Sequence, residues 1–233
     1  MSDKNILLVE GESDRGLLEA LCKKWHIPVG QVKVCTPRDA GHAKNSKQAV
    51  WAVLPIYLAQ LADGQIEKLA LVVDADSPPN GGFDRTLSQL QPRLAAHGYT
   101  LATPRAQPGL YFMHNDGLPE VGAWVMPNNT DTGMVEDWLK NCLHADEADL
   151  MRYAQQAIAS LPGGPKFKAL HRSKADIATW LAWQAQPGHG LYHAVQPGLL
   201  DDNAPLLVAL HGWLVQIFAA KPSQTTTTQG GVP

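Results

Sequence analysis

An excess of charge of one sign is missing from this chain. Nineteen Lys and Arg stand against 22 Asp and Glu, a formal net charge of −3 over 233 residues. That balance excludes a strongly basic nucleic-acid coat; any nucleic-acid contact must be local, or helped by cations that neutralise the phosphates. Cysteine is scarce: Cys22, Cys35 and Cys142 lie far apart and form no CxxC pair. An odd number without metal-ligand spacing argues for reduced thiols and a cytoplasmic setting. No long apolar run occurs either. The most apolar stretch, Ala204 to Ala220, contains His211 and Gln216 and falls short of the ~20 residues a membrane span needs. It reads as a packed amphipathic helix, and no membrane partner is expected. Met1 to Asn5 run straight into a strand-like segment, so no signal peptide is visible. GxxxxGK[ST], GxGxxG and GxSxG are all absent, which leaves a nucleotide P-loop, a dinucleotide site and a serine elbow unsupported.

What is present has the balance of an ordinary globular protein, with 45% apolar and 18% charged residues. Two short runs, Asn5 to Val9 and Leu69 to Val73, are continuously apolar, as in strands buried on both faces. Leu17, Leu18, Leu21, Cys22 and Trp25 follow the first run at helical spacing, with Ser13 or Asp14 as a cap. Residues 31–36 and 121–126 are further strand candidates. Lys47 to Leu61 is a helix kinked or split at Pro55, and Phe83 to His97 is helical with an interruption near Pro92. Residues 98–120, rich in Pro and Gly, resist assignment. Four helices are expected at 134–143, 148–161, 174–184 and 205–220. Strands alternate with helices early and helices dominate later, which predicts an α/β parallel sheet with a helical C-terminal elaboration. The expected division is an α/β core over 1–130, the elaboration over 131–222, and a low-complexity tail over 223–233 without fixed structure.

The polar residues directly behind the two apolar runs sit where open α/β sheets bind ligands. Glu10 and Asp14 stand four apart across a strand-to-helix turn, and they face one crevice if Asp14 lies in the first helical turn. Asp74 and Asp76 are two apart; in extended chain they point the same way, about 6–7 Å from each other. Carboxylates suit Mg²⁺ or Mn²⁺ rather than zinc or copper. Four crowded together repel and raise one another's pKa values, and a bound cation resolves that repulsion. Taken singly, each has a plainer reading: Asp14 as a cap, an aspartate behind a strand as a turn-former. The ordered combination, an apolar strand into EGxxD and then an apolar strand into DxD, favours the joint one.

LLVEGESD followed by LVVDAD resembles the two motifs of the Toprim domain. That domain is shared by type IA and type II topoisomerases, bacterial primases, RNA-maturation nucleases and OLD-family nucleases. The resemblance covers residues 4–130 and implies a Rossmann-like parallel sheet with helices on both faces. It implies Glu10 as general acid/base and Asp74 and Asp76 as holders of Mg²⁺. GMVEDWL, with Glu136 and Asp137 opening a helix, is similar to an acidic helix start in OLD-type nucleases, where such a glutamate helps hold a second metal. Lys174, in HRSKADIATWLA, resembles a lysine at a later helix start in those enzymes. The arrangement is also similar to small standalone Toprim-like bacterial proteins.

In a two-metal nuclease, Glu10, Asp14, Asp74, Asp76 and Glu136 would supply the carboxylates, and Lys174 would stabilise charge on the phosphate. The plainer readings are helix-dipole placement for Glu136 and a solvated surface lysine for Lys174. Lys166, Lys168, Arg172 and Lys174 form a basic run fit either for phosphate backbone or simply for solvent. His189 and His193 have zinc spacing for a helix, but Pro187, Gly188 and Gly190 argue against a helix there, so zinc is rejected. The expectation is a Mg²⁺- or Mn²⁺-dependent nuclease acting on nucleic acid, DNA ahead of RNA. It acts alone or as a subunit whose protein partner supplies substrate binding. The alternative is a non-cleaving Toprim-fold module that holds a metal or nucleotide, a role that needs no general base at Glu10. A third reading, phosphoryl transfer with Asp74 as nucleophile, leaves EGESD without a role.

Overall fold

The computed structural model describes residues 4–34, 46–79, 81–104, 106 and 108–219. Chain order runs β1 (Asn5–Val9), α1 (Glu12–Lys24), β2 (Gln31–Val34), α2 (Lys47–Ala62), β3 (Lys68–Asp74), α3 (Phe83–Ala95), β4 (Tyr99–Leu101), β5 (Leu110–His114) and β6 (Val121–Met126). The helices α4 (Val135–Lys140), α5 (Ala148–Ala159), α6 (Arg172–Ala182) and α7 (Pro205–Phe218) follow, with short 3-10 segments at Ala145–Glu147, Ala169–His171 and Leu191–Val195. No helix among the described residues is long and apolar enough to cross a membrane.

The six strands form one sheet in the order β2-β1-β3-β6-β5-β4. The first four run parallel, as the continuous apolar runs predict for strands covered on both faces. The sheet is nevertheless mixed: β5 pairs antiparallel with β6, and β4 antiparallel with β5. These two strands lie in the stretch that defied assignment, and the short links around them are too brief for a parallel crossover.

Alternation along the strands divides the core in two. Ile6, Leu8, Leu71, Val73 and Val125 face α2 and α3 on one side. Leu7, Val9, Val72, Trp124 and Met126 face the other side, packed with residues of α1 and of all four C-terminal helices. The C-terminal helices therefore share a continuous core with the strands. Gly122 shows how closely α7 is seated on the sheet: a Cβ there would lie 2.7 Å from the Ile217 side chain. Beside it, the Trp124 and Trp213 rings sit 5.6 Å apart.

Local expectations shift in two places, and a third is seen only in part. Neither Pro55 nor Pro92 breaks its helix; each removes one rung, and buried Leu54 and Leu58 in α2, or Leu90 and Leu94 in α3, hold the flanking turns. The cap of α1 is Gly11 rather than Ser13 or Asp14. Asp14 lies in the first turn, where its Oδ2 accepts from the Gly11 N–H at 2.9 Å. In the segment 31–36, the strand covers Gln31–Val34; Cys35, Thr36 and the tail 223–233 lie outside the described residues.

Candidate functional site

Because β1 and β3 are parallel neighbours with Val9 opposite Val72, their ends place Glu10 beside Asp74. Glu10 Oε1 accepts the Asp74 backbone N–H at 2.9 Å. On the other side of β3, β6 ends next to Asp74, and the chain turns into α4. The first N–H of that helix, from Val135, donates to Asp74 Oδ1 at 2.9 Å. A helix N-terminus thus points at the central aspartate, where its partial positive charge favours an anion. The next residue, Glu136, is only 5% exposed. Its Oε1 lies 3.8 Å from Lys174 Nζ on α6, while its Oε2 is buried without a hydrogen-bond partner.

Burial and mutual repulsion act on these acids together. Asp74 titrates well above the usual range, first through burial, then through Glu10, Asp14, Glu136 and Asp76 in that order. Burial pushes Glu10 up to about 7, against the pull of the Lys47 ammonium. Burial and Glu136 push Asp14 up to about 6, eased by Lys174. Glu136 is raised by burial and eased by the same lysine. Each shift is the signature of a carboxylate deprived of both water and an adequate counter-charge.

Glu10, Asp14, Asp74 and Glu136 are therefore gathered at one edge of the sheet, with half-exposed Lys174 at the rim. Asp76 departs from the extended geometry expected for it. Its φ is +62°, and the loop doubles back so tightly that a Cβ on Gly81 would lie 2.5 Å from the Asp76 carbonyl carbon. Asp76 is instead pinned to the loop after β6 by reciprocal backbone hydrogen bonds with Gly133, at 2.8 and 3.1 Å. Its carboxylate pairs with Lys47 at 2.6 Å. Among the described residues, no three His, Cys, Asp or Glu form a group already arranged to hold a metal ion.

Lys47 is the residue that sequence reasoning missed. It is 9% exposed, bonds to Asp76 and lies 3.3 Å from Thr86 Oγ1. The available signal was its position: a lysine at the first turn of an apolar helix opposes the helix dipole, so a local acid has to compensate. Of the basic run, Arg172 is committed elsewhere, to Asp176 at 2.7 Å and the Gln155 carbonyl at 2.8 Å. His189 and His193 stack at 4.8 Å, with His189 Nδ1 hydrogen-bonded to the Tyr192 hydroxyl at 2.7 Å.

The model of a family described as protein of unknown function, DUF3226, matches residues 4–219. The chain belongs to the DUF3226 family. That span contains every carboxylate of the cluster, Lys47 and Lys174, so the whole site lies within the matched residues. No curated protein and no solved structure matches the chain.

Proposed function

We propose that this DUF3226 protein is a Mg²⁺-dependent nucleic-acid phosphodiester hydrolase of the Toprim and OLD-nuclease kind, or the cleaving subunit of one. The observation that carries the reading is the buried, unpartnered Oε2 of Glu136, in a cluster with Asp74, Asp14 and Glu10. The donor set is all oxygen, which fits Mg²⁺ or Mn²⁺, and a divalent cation relieves the repulsion that raises these pKa values. Asp14, Asp74, Glu136 and Glu10 would hold the metal, with Asp76 able to join them by exchanging Lys47 for it; when bound, the metal supplies Lewis-acid stabilisation and an activated water.

The protein's own groups divide the remaining tasks. Glu10, anchored by the Asp74 N–H, serves as the general acid/base. Lys174 stands half exposed at the rim, in position to meet the charge that builds on a phosphate under attack. The low net charge supports a protein partner that brings the substrate, with DNA ahead of RNA. Buried thiols at Cys22 and Cys142, both unpaired, support a cytoplasmic setting, where such thiols stay reduced.

A second reading, a non-cleaving metal- or nucleotide-holding module, is favoured by the Lys47–Asp76 pair, because an internal cation already answers one acid. Cleavage of labelled single- and double-stranded DNA and RNA with Mg²⁺ or Mn²⁺ separates the two. The hydrolase reading expects cutting that falls by about 100-fold or more in Glu10→Gln and Asp74→Asn. Carboxylate-dependent Mn²⁺ binding without any cutting would establish the second reading instead.

A further inference from the structure

Beside Glu136 the carboxylate cluster opens into a cleft of ≈ 410 Å³. Its two ends differ in chemistry. Glu136 and Lys174 stand beside the carboxylates; one to two turns farther along α6 the lining is Ala178 and Leu181, and His189 and Leu191 line the same cleft. Beyond Glu136 and Lys174 the cleft is therefore a slot lined by apolar side chains and one imidazole ring, and the cation and the carboxylate stand at its other end. The His189 ring is held in place: one face stacks on His193 at 4.8 Å with planes 15° apart, and Nδ1 is tied to Tyr192. Ala178 and His189 are exposed, so the slot can be entered from solvent. No side chain of the cleft is paired with Glu136 Oε2.

Resting on the hydrolase reading, we propose that this cleft is a subsite for one unpaired nucleotide. The base lies in the slot against the His189 ring and the α6 wall, and its phosphate lies at Lys174 beside the carboxylates. A cleft of this volume is of the size that holds a small ligand, and a base stacked on a ring is a sequence-tolerant contact. A base inside a duplex cannot enter a slot without leaving its stack. The substrate class is accordingly a single strand or a frayed end, and the base adjoining the cut phosphate is gripped without being read.

The test is titration of the full chain, in MnCl₂, with deoxyadenosine 5′-monophosphate and with base-free 2-deoxyribose 5-phosphate. The base should tighten binding about tenfold or more. Ala178→Trp, which fills the slot, and His189→Ala, which removes the ring, should each cut that preference to less than about threefold. Both positions are exposed, and an unchanged melting temperature confirms that each variant is folded. No binding of the monophosphate, equal affinity for the two ligands, or a preference that survives both substitutions overturns the subsite. Failure of the hydrolase reading looks different: no Mn²⁺ binding and no cutting, with the preference for the base intact.

Discussion

Glu136 and Asp137 are neighbours at the start of α4, and the fold treats them in opposite ways. Asp137 accepts the Met134 N–H at 3.0 Å through Oδ2, while its Oδ1 takes the Ser173 hydroxyl and lies 3.1 Å from Lys140 Nζ. Asp176, 3% exposed, completes that group, with Arg172 at 2.7 Å and Lys140 at 3.7 Å. These acids come with cations built in, and together they brace α4 against α6. One residue earlier the chain turns toward the sheet edge, where the nearest lysine stands 3.8 Å from Glu136 Oε1 and nothing reaches Oε2. The lesson is about what an acidic cluster is for. A cluster satisfied from within holds the structure together; one left under-compensated costs stability, and the proposed metal would be what offsets that cost.

The comparison breaks most plainly at its two central aspartates, where removing the charge should have opposite signs. Asp176→Ala leaves Arg172 and Lys140 without their buried partner. It should lower stability by about 2–3 kcal/mol, less than a fully buried pair because Arg172 is 40% exposed. Asp74→Asn removes a repelled charge while keeping an acceptor for the Val135 N–H. In chelator it should raise the melting temperature by about 2–4 °C. Urea and thermal unfolding of the two variants side by side measure the contrast; two losses of similar size would erase it.

A smaller effect lies in pH. A group whose pKa is raised by folding favours the folded state below its unfolded value, and that advantage is lost as pH climbs through the folded value. Glu10 moves from 4.5 to about 7 and Asp14 from 3.8 to about 6. Their contribution to stability in chelator should therefore decline from about pH 4 to pH 7. Added Mg²⁺ should recover it at the upper end and make little difference at pH 4. Melting curves at several pH values, compared between wild type and Glu10→Gln, isolate this contribution. The smallest expected effect is Lys47→Met. It should cost about 1 kcal/mol, since Asp76, the partner it leaves, is 52% exposed, and it should push Glu10 still higher. Carboxyl titration followed by NMR would show that rise, and a lower Glu10 value would sink the role given to Lys47.

The parallel half of the fold was legible because strands covered on both sides write themselves as unbroken apolar runs, and Asn5–Val9 and Lys68–Asp74 end at the residues that matter. The position of Glu10 next to Asp74 follows from strand pairing alone. The extended geometry expected at position 76 did not hold, because spacing in sequence was converted to distance as though the chain stayed extended; the backbone there is left-handed and the carboxylate meets Lys47. That partner lies 29 residues away, brought in by a helix whose docking no local pattern announces. The antiparallel strands β4 and β5 stayed hidden because three- and five-residue segments among Pro and Gly are too short to display a period.

The close seating of α7 on Gly122 bears on how the molecule comes into being. That helix is the last of the described elements to leave a ribosome, yet it helps cover the sheet face that β1 begins. Until it arrives, Gly122 and Trp124 lack the part of their cover that Ile217 and Trp213 supply, and the nascent chain displays apolar surface of the kind that chaperones hold. Four of the acids also wait, in order, on residues 10, 14, 74 and 136, with Lys174 later still. On the proposed reading, cation affinity would wait at least for α4, and a chain cut short before it should have the sheet motifs but no finished place for a metal.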